Sequence, residues 1–144
     1  MKKIFLVLIV AGVACSKENT DMEKPAIQIS SPVNGVEYLV GCDTCALPVR
    51  ATISDNDELN ACKIEAHSAA GHGSHVSLMK ALTASWLYDT IIDAKGNKKI
   101  ELSLSISLKE VQDTGEFHFL IYATDKSGNE SLAERDIFFR LSAQ

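Results

Sequence analysis

The feature that most constrains the fold is a two-residue alternation of apolar and polar side chains, repeated in short runs from Pro25 onward. The clearest run is 100–107, in which isoleucine and leucine alternate with glutamate and serine. This period is that of a β-strand with one buried face. Turn sequences such as 32–35 and 126–129 separate the runs. No segment shows a convincing amphipathic-helix period, so the chain is expected to be all-β.

About seven strands in about 120 residues predict a β-sandwich. The length of 144 residues fits a single domain, which we place at 25–144. The segment 76–83 is the least regular and could form a helical turn. The candidate strands are 26–30, 36–40, 47–53, 62–66, 84–92, 100–106, 117–123 and 133–141.

The first 14 residues have the pattern of an export signal. Two lysines precede an apolar run at 4–10, and small residues lead to Cys15. The sequence Val13-Ala14-Cys15 resembles the end of the lipobox of bacterial lipoproteins, with Gly12 where that pattern usually has leucine. The resemblance implies a signal peptide at 1–14 and an acylated Cys15 at the N-terminus of the mature chain. The alternative is an ordinary signal peptide followed by an unrelated cysteine.

The segment after the cysteine predicts how the domain is attached. Residues 16–24 are polar and charged without apolar periodicity, which is typical of a flexible tether. The apolar run at 4–10 is too short for a membrane-spanning helix, which needs about 20 residues. A net charge of −5 without a basic cluster argues against a nucleic-acid partner. We therefore expect an outer-membrane lipoprotein of the bacterial cell envelope, held by lipid, whose protein or glycan partner is unknown.

Two motifs carry a family resemblance. The segment GEFHFLIYATDKSGNES at 115–131 resembles the last hairpin of bacterial immunoglobulin-like domains. More narrowly, the chain resembles an uncharacterised family of bacterial lipoproteins with a single immunoglobulin-like domain. The shared order is Lys-Pro-x-Ile at 24–27, Ile-Ser-Asp-x-Asp-x-Leu at 53–59, a His-rich loop, a Trp-containing strand and Gly-x-Phe-His-Phe at 115–119. The resemblance covers 24 to about 139 and implies an immunoglobulin-like β-sandwich, with no activity to carry over.

The four histidines are the main chemical signal. In an immunoglobulin-like sandwich, the strand ending at His67 corresponds to strand C and the strand containing His118 to strand F, which are antiparallel neighbours. The alternation points both rings outward, so they should meet on the outer face of one sheet. The loop that carries His72 and His75 begins at the same place. Together the four rings could bind Zn²⁺, copper or nickel through imidazole nitrogen.

Two glutamates could support the histidines. Glu65 points outward on the strand of His67, and Glu116 begins the strand of His118. Either carboxylate could accept a hydrogen bond from a metal-bound ring. The alternative is that the histidine loop is a solvated connection and that His118 only stacks on a neighbour.

The cysteines beyond the signal region have separate expectations. Cys42 and Cys45 precede the second sandwich strand and are expected to form a local disulfide in an exported protein. The alternative is a pair of thiolates that ligate a metal near the histidines. Cys62 alternates with outward residues and is expected to be a buried free thiol.

Acidic and aromatic residues offer weaker alternatives. Asp55, Asp57 and Glu58 lie in one turn, and Asp125 follows strand F at the same end, opposite the histidines. Their oxygens could hold Ca²⁺, although such residues in turns commonly cap their own backbone. The aromatic residues Trp86 and Tyr88 could form a platform for a sugar or a protein, or could be core.

No catalytic signature is present. The sequence lacks a Gly-x-Ser-x-Gly motif, a phosphate-binding loop and a dinucleotide fingerprint. We therefore expect a non-catalytic binding module on a lipid anchor, with a divalent transition metal as its favoured ligand. The alternative is a cell-surface adhesion or glycan- or protein-binding accessory lipoprotein that binds no metal.

Overall fold

The computed structural model describes residues 21–69 and 86–143. These residues form eight β-strands and no helix, so none of their elements has the helical length and apolar character needed to cross a membrane. Several expectations concern residues outside the described ranges, namely 1–14, Cys15, His72, His75 and 76–83. The strands are β1 (Ala26–Ser31), β2 (Glu37–Val40), β3 (Ala46–Ser54), β4 (Leu59–Ser68), β5 (Leu87–Asp93), β6 (Lys99–Ser107), β7 (Gly115–Asp125) and β8 (Glu130–Leu141).

The strands form two sheets. One sheet has the order β1-β3-β6 and the other the order β2-β8-β7-β4-β5. Neighbouring strands are antiparallel except for β2 and β8, which are parallel. The central pair β4 and β7 takes the places of strands C and F. The prediction of an all-β, immunoglobulin-like sandwich is confirmed.

The eight strands correspond in order to the eight candidate runs, and the predicted turn at 32–35 separates β1 from β2. Pro32 has no backbone N–H to donate to a ladder, and Gly35 has φ of 74°, a conformation that favours glycine. The chain therefore leaves the three-stranded sheet after β1 and joins the five-stranded sheet as β2. This crossover places β2 on the outer edge, beside β8.

The core lies between the sheets and is built from the inward side of the alternation. Ile64 and Ala66 of β4 and Phe117 and Phe119 of β7 are all fully buried, as the sequence predicts. Because side chains alternate across a strand, this burial directs the intervening residues of β4 and β7 to the outer face. The sheet thereby fixes the orientation of both strand histidines.

The sandwich has two ends. At the histidine end, β4 finishes beside the start of β7, and Ser68 pairs with Phe117. At the acidic end, β4 begins beside the end of β7, and Leu59 pairs with Asp125. The strand pair that carries the two histidines thus runs the full length of the domain.

Candidate metal centre

His67 and His118 face each other across β4 and β7. The register places the two residues directly opposite one another. Their ring centroids are 5.7 Å apart and the rings are tilted by 55°. The two side chains are 25% and 22% exposed, so each lies half-buried on the outer face. The prediction that these rings meet on the outer face of one sheet is confirmed.

The separation of the rings suits a shared ion. A ring nitrogen bound to Zn²⁺ at about 2.0–2.1 Å places the ring centroid roughly 3.2 Å from the metal. Two rings at a tetrahedral angle then have centroids roughly 5 Å apart. The observed 5.7 Å requires only a slightly wider angle or a small side-chain rotation. The separation of the two ring centroids is therefore compatible with a shared ion.

The His67 ring is positioned by a charged row on the same face. Glu65 Oε1 lies 2.9 Å from His67 Nδ1. Lys63 Nζ donates to Glu65 Oε2 at 2.7 Å and pairs with Asp89 Oδ2 at 3.0 Å. The hydrogen bonds that Lys63 donates to Glu65 and Asp89 raise the pKa of Lys63, which stays protonated. Glu65 is therefore held on one side by a lysine and meets His67 with its other oxygen, in the place that the sequence predicts.

The His118 ring is positioned by β8. Glu134 Oε1 lies 2.8 Å and Asp136 Oδ1 3.1 Å from His118 Nδ1. Asp136 pairs directly with His118 in the ladder, and its backbone N donates to Asn34 Oδ1 at 2.8 Å. Glu116 is exposed on the same face of β7, two residues from His118. The carboxylates that contact His118 thus come from the neighbouring strand β8.

Sequence reasoning missed Glu134 and Asp136. Both belong to the alternating last strand, where outward acidic residues are typical of a solvated sheet face. The usable signal is their spacing of two on a strand that an immunoglobulin-like order places beside strand F. When the outward residues of β8 are considered together with those of β4 and β7, Glu134 and Asp136 are predicted to lie beside His118.

Both histidines present the same nitrogen to a carboxylate. A neutral ring that carries its proton on Nδ1, the nitrogen nearest the carboxylates, keeps its lone pair on Nε2. Metal-binding histidines are commonly held in this way, because the second hydrogen bond fixes the tautomer and orients the ring. The arrangement fits coordination of a metal through Nε2 of His67 and Nε2 of His118.

A second ligand set uses the carboxylates themselves. One ring nitrogen of His118 and one oxygen each from Glu134 and Asp136 lie within 4.8 Å of one another. One imidazole and two carboxylates form a mixed nitrogen and oxygen set that Zn²⁺ accepts. The outer face therefore offers a metal either the two rings or one ring with two carboxylates.

The cysteines do not extend this site. Cys42 and Cys45 are joined by a disulfide with a Cα–Cα distance of 5.1 Å, in the expected loop at the histidine end. A disulfide sulfur is not a thiolate ligand. Cys62 is a free thiol buried in the core, also as expected. Burial raises the pKa of the Cys62 thiol to about 11, so it is protonated at neutral pH.

The two aromatic residues pack inward. Trp86 and Tyr88 are half-buried against the core, and their rings stack with centroids 6.4 Å apart. Trp86 also contacts Phe117 at 6.0 Å and Phe139 at 5.5 Å. The pair covers the core where the described residues resume, at Trp86. Each ring keeps only part of its surface for the aromatic platform that the adhesion alternative relies on.

The turn acids separate into two groups. Asp55 and Asp125 come together at the acidic end, with Asp21 as a third carboxylate. Asp57 is exposed, and its backbone N donates to Asp55 Oδ1 at 2.9 Å. Glu58 pairs instead with Lys126 at 3.1 Å, and this hydrogen bond lowers the pKa of Glu58. Of the four acids in the calcium alternative, only Asp55 and Asp125 share one cluster.

Comparison with known proteins gives a family and no activity. No curated protein matches the chain. A family model described as a domain of unknown function, DUF4625, matches residues 13–139, which is most of the chain and the whole sandwich apart from its last residues. The expectation of an uncharacterised domain family is confirmed, and the chain belongs to the DUF4625 family.

Proposed function

We propose that this protein is an exported, non-catalytic binding lipoprotein that holds a divalent transition metal, Zn²⁺ foremost, on the outer face of its five-stranded sheet. The observation that carries the proposal is the cross-strand pair of His67 and His118, with ring centroids 5.7 Å apart. Each Nδ1 lies against a carboxylate, which is the support that metal-binding imidazoles need.

The coordination follows from the strands and the adjoining loop. His67 and His118 supply two nitrogens from neighbouring strands. His72 and His75, in the sequence that follows β4, supply the remaining two ligands of a tetrahedral site. Glu65, Glu134 and Asp136 orient the strand rings. Coordination by histidines without a catalytic group suits metal capture or storage at the cell envelope.

The anchor part of the proposal rests on the N-terminal sequence. Residues 1–14 direct export, Cys15 carries the acyl chains, and 16–24 tether the domain to the outer membrane. Each buried methylene contributes about 0.8 kcal/mol, so two or more acyl chains hold the protein stably on the bilayer. Metabolic labelling with a palmitate analogue tests this part. Label should appear on the wild-type protein and not on a Cys15→Ser variant, and equal labelling of both would contradict it.

Metal content tests the site. The full chain is purified in detergent without a histidine tag, dialysed against trace zinc, copper and nickel, and analysed for metal per chain by mass spectrometry. We expect one bound ion in the wild-type protein and none in a His67→Ala/His118→Ala double variant. A Lys99→Ala/Glu101→Ala variant, which removes an exposed pair from the other sheet, is the matched control and should keep the ion.

Two results would overturn the site. One is the absence of stoichiometric metal from the wild-type protein. The other is an ion that survives in the double variant, since coordination would then not depend on the paired rings. A His72→Ala/His75→Ala variant separates the ligand sets. Weakened binding supports the four-histidine site, whereas unchanged binding favours His118 with Glu134 and Asp136.

A further inference from the structure

Three carboxylates converge at the acidic end, opposite the histidines. Asp21 precedes β1, Asp55 directly follows β3, and Asp125 is the last residue of β7. One oxygen from each lies within 4.8 Å of the other two. The three carboxylates come from separate parts of the chain. The fold brings them together, and nothing in their sequence spacing indicates it.

The hydrogen bonds of Asp21 and Asp55 leave one oxygen of each unmatched. Asp21 Oδ1 accepts from Glu23 N at 3.0 Å and from Asn56 Nδ2 at 3.1 Å. Asp55 Oδ1 accepts from Asp57 N at 2.9 Å. The Oδ2 atoms of Asp21 and Asp55 are fully buried, and within the described residues neither accepts a hydrogen bond. A buried carboxylate oxygen without a donor is costly, and such atoms in folded proteins point to an ion or water.

Asp125 completes the cluster as its most buried member. It is 2% exposed, and Asn129 donates to its two oxygens, from N at 2.8 Å and from Nδ2 at 2.7 Å. The same Nδ2 contacts the backbone oxygens of Asp21 at 3.0 Å and Glu23 at 3.2 Å. Among residues 21–69 and 86–143, no lysine, arginine or histidine forms an ion pair with these three aspartates. The negative charge is therefore concentrated without a cationic side chain.

We infer that the acidic end binds one Ca²⁺ between Asp21, Asp55 and Asp125. Ca²⁺ takes oxygen ligands at about 2.3–2.6 Å in irregular geometry, so ligands on opposite sides of the ion lie about 4.6–5.2 Å apart. Three oxygens within 4.8 Å of one another fit around one such ion. The two unmatched Oδ2 atoms then gain a cationic partner. The set has no nitrogen or sulfur ligand, which distinguishes it from the histidine site.

The ion would connect the chain that enters the domain with the domain itself. Asp21 lies in the segment before β1, whereas Asp55 and Asp125 lie at the turns after β3 and β7. Binding Ca²⁺ fastens that segment to both turns. The orientation of the sandwich relative to the residues that precede Asp21 thereby depends on Ca²⁺. This role is separate from the transition-metal site, and either could fail without the other.

Calorimetric titration with CaCl₂ tests the inference. The full chain is stripped with EDTA, dialysed and titrated in detergent, and the wild-type protein should bind one Ca²⁺. The isosteric Asp55→Asn variant keeps the turn hydrogen bond but loses a charged ligand, so binding should weaken by about tenfold or more. Asp93→Asn is the matched control. Asp93 lies at the same end and accepts from Lys95 N at 3.0 Å in the same kind of turn, but it is exposed and outside the cluster.

Thermal unfolding gives a signature that a merely structural aspartate would not show. In EDTA, Asp55→Asn should unfold at the same temperature as the wild-type protein or higher, because it removes like-charge repulsion. In excess Ca²⁺, the unfolding temperature of the wild-type protein and of Asp93→Asn should rise, and that of Asp55→Asn should rise less or not at all.

Three outcomes would overturn the inference. They are no Ca²⁺ binding by the wild-type protein, equal weakening by Asp55→Asn and Asp93→Asn, and a lower unfolding temperature for Asp55→Asn than for wild type in EDTA. The last would mean that the Asp55 carboxylate stabilises the fold by itself. A His67→Ala/His118→Ala variant that still binds Ca²⁺ normally would show that the two sites are independent, as we expect.

Discussion

Strand β7 connects two clusters of polar side chains that are built in opposite ways. Near its start, His118 lies on the outer face of the sheet, and the carboxylates beside it are 47% and 46% exposed. At its end, Asp125 is 2% exposed beneath the turn that leads to β8. The two groups are only seven positions apart on one strand.

The difference teaches how exposure to solvent decides what a charged side chain contributes to the stability of the fold. At the histidine end, solvent screens the charges, so the side chains there contribute little to stability and are available to orient a ligand. At the acidic end, Asp125 is bonded to the backbone and side chain of Asn129, which also reaches Asp21 and Glu23. Buried charges of this kind depend on every partner being in place.

The largest expected effect falls on the acidic end. Replacing Asn129 with Ala removes the donor to Asp125 Oδ2 while leaving the clustered carboxylates in place. We expect the free energy of unfolding in EDTA to fall by roughly 2–4 kcal/mol. Urea denaturation measures it. Asn97→Ala is the control, because Asn97 Nδ2 also bonds turn carbonyls, at 3.2 and 3.3 Å, but is exposed. If the free energy of unfolding falls equally in the two variants, the claim that the buried charge of Asp125 depends on its donor would be contradicted.

The next effect tests what the carboxylates do at the histidine end. A Glu134→Gln/Asp136→Asn variant keeps the side-chain shapes but weakens the acceptors of His118 Nδ1. We expect zinc affinity to fall by about 10–100-fold, with little change in unfolding. Zinc titration against a chromophoric competitor measures it, with Glu116→Gln as the control. If Glu116→Gln weakens zinc binding as much as the double variant, the assignment of β8 as the support is wrong.

A pH effect should appear between the two ends, at Cys62 in β4. Burial raises the pKa of this thiol to about 11 from its usual value of 9.0. As pH rises, the unfolded chain therefore loses the Cys62 proton before the folded chain does. The contribution of the buried neutral thiol to the free energy of unfolding is complete below about pH 9 and is lost as pH rises toward 11. The loss should reach roughly 2 kcal/mol by pH 10.5. Urea midpoints of wild type and Cys62→Ala across this range should converge as pH rises, and parallel curves would contradict the prediction.

The smallest effect should come from the histidines without metal. Both side chains are partly exposed, and removing them leaves carboxylates that water can solvate. A His67→Ala/His118→Ala variant in EDTA should change the free energy of unfolding by less than about 1 kcal/mol. Thermal and urea unfolding check this. A loss as large as that of Asn129→Ala would make the histidine pair a structural element.

Much of the fold could be predicted because the alternation is local. The run at 100–107 reports a half-buried strand by itself, and the same logic turns Ile64 and Phe117 inward and their neighbours outward. Given the sandwich, strands C and F must pair, which is enough to place His67 opposite His118. The turn at 32–35 separates the first two strands, as the sequence indicates.

The carboxylates were harder to predict because their partners depend on register between distant segments. Glu134 and Asp136 look like ordinary exposed residues until β8 is aligned with β7. Asp21 lies in a polar stretch that is typical of a tether, and nothing local links it to Asp55 or Asp125. The contacts of these polar residues are non-local and cannot be predicted from nearby sequence, whereas the apolar alternation that predicts a strand is visible within a few residues.

The most direct test of the central claim is a crystal of the domain grown with zinc and measured on both sides of the zinc absorption edge. The account predicts one strong anomalous peak on the outer face of the five-stranded sheet, within about 2.0–2.1 Å of a ring nitrogen of both His67 and His118. A zinc peak bound by neither histidine, or an outer face without a peak in a zinc-saturated crystal, would contradict it.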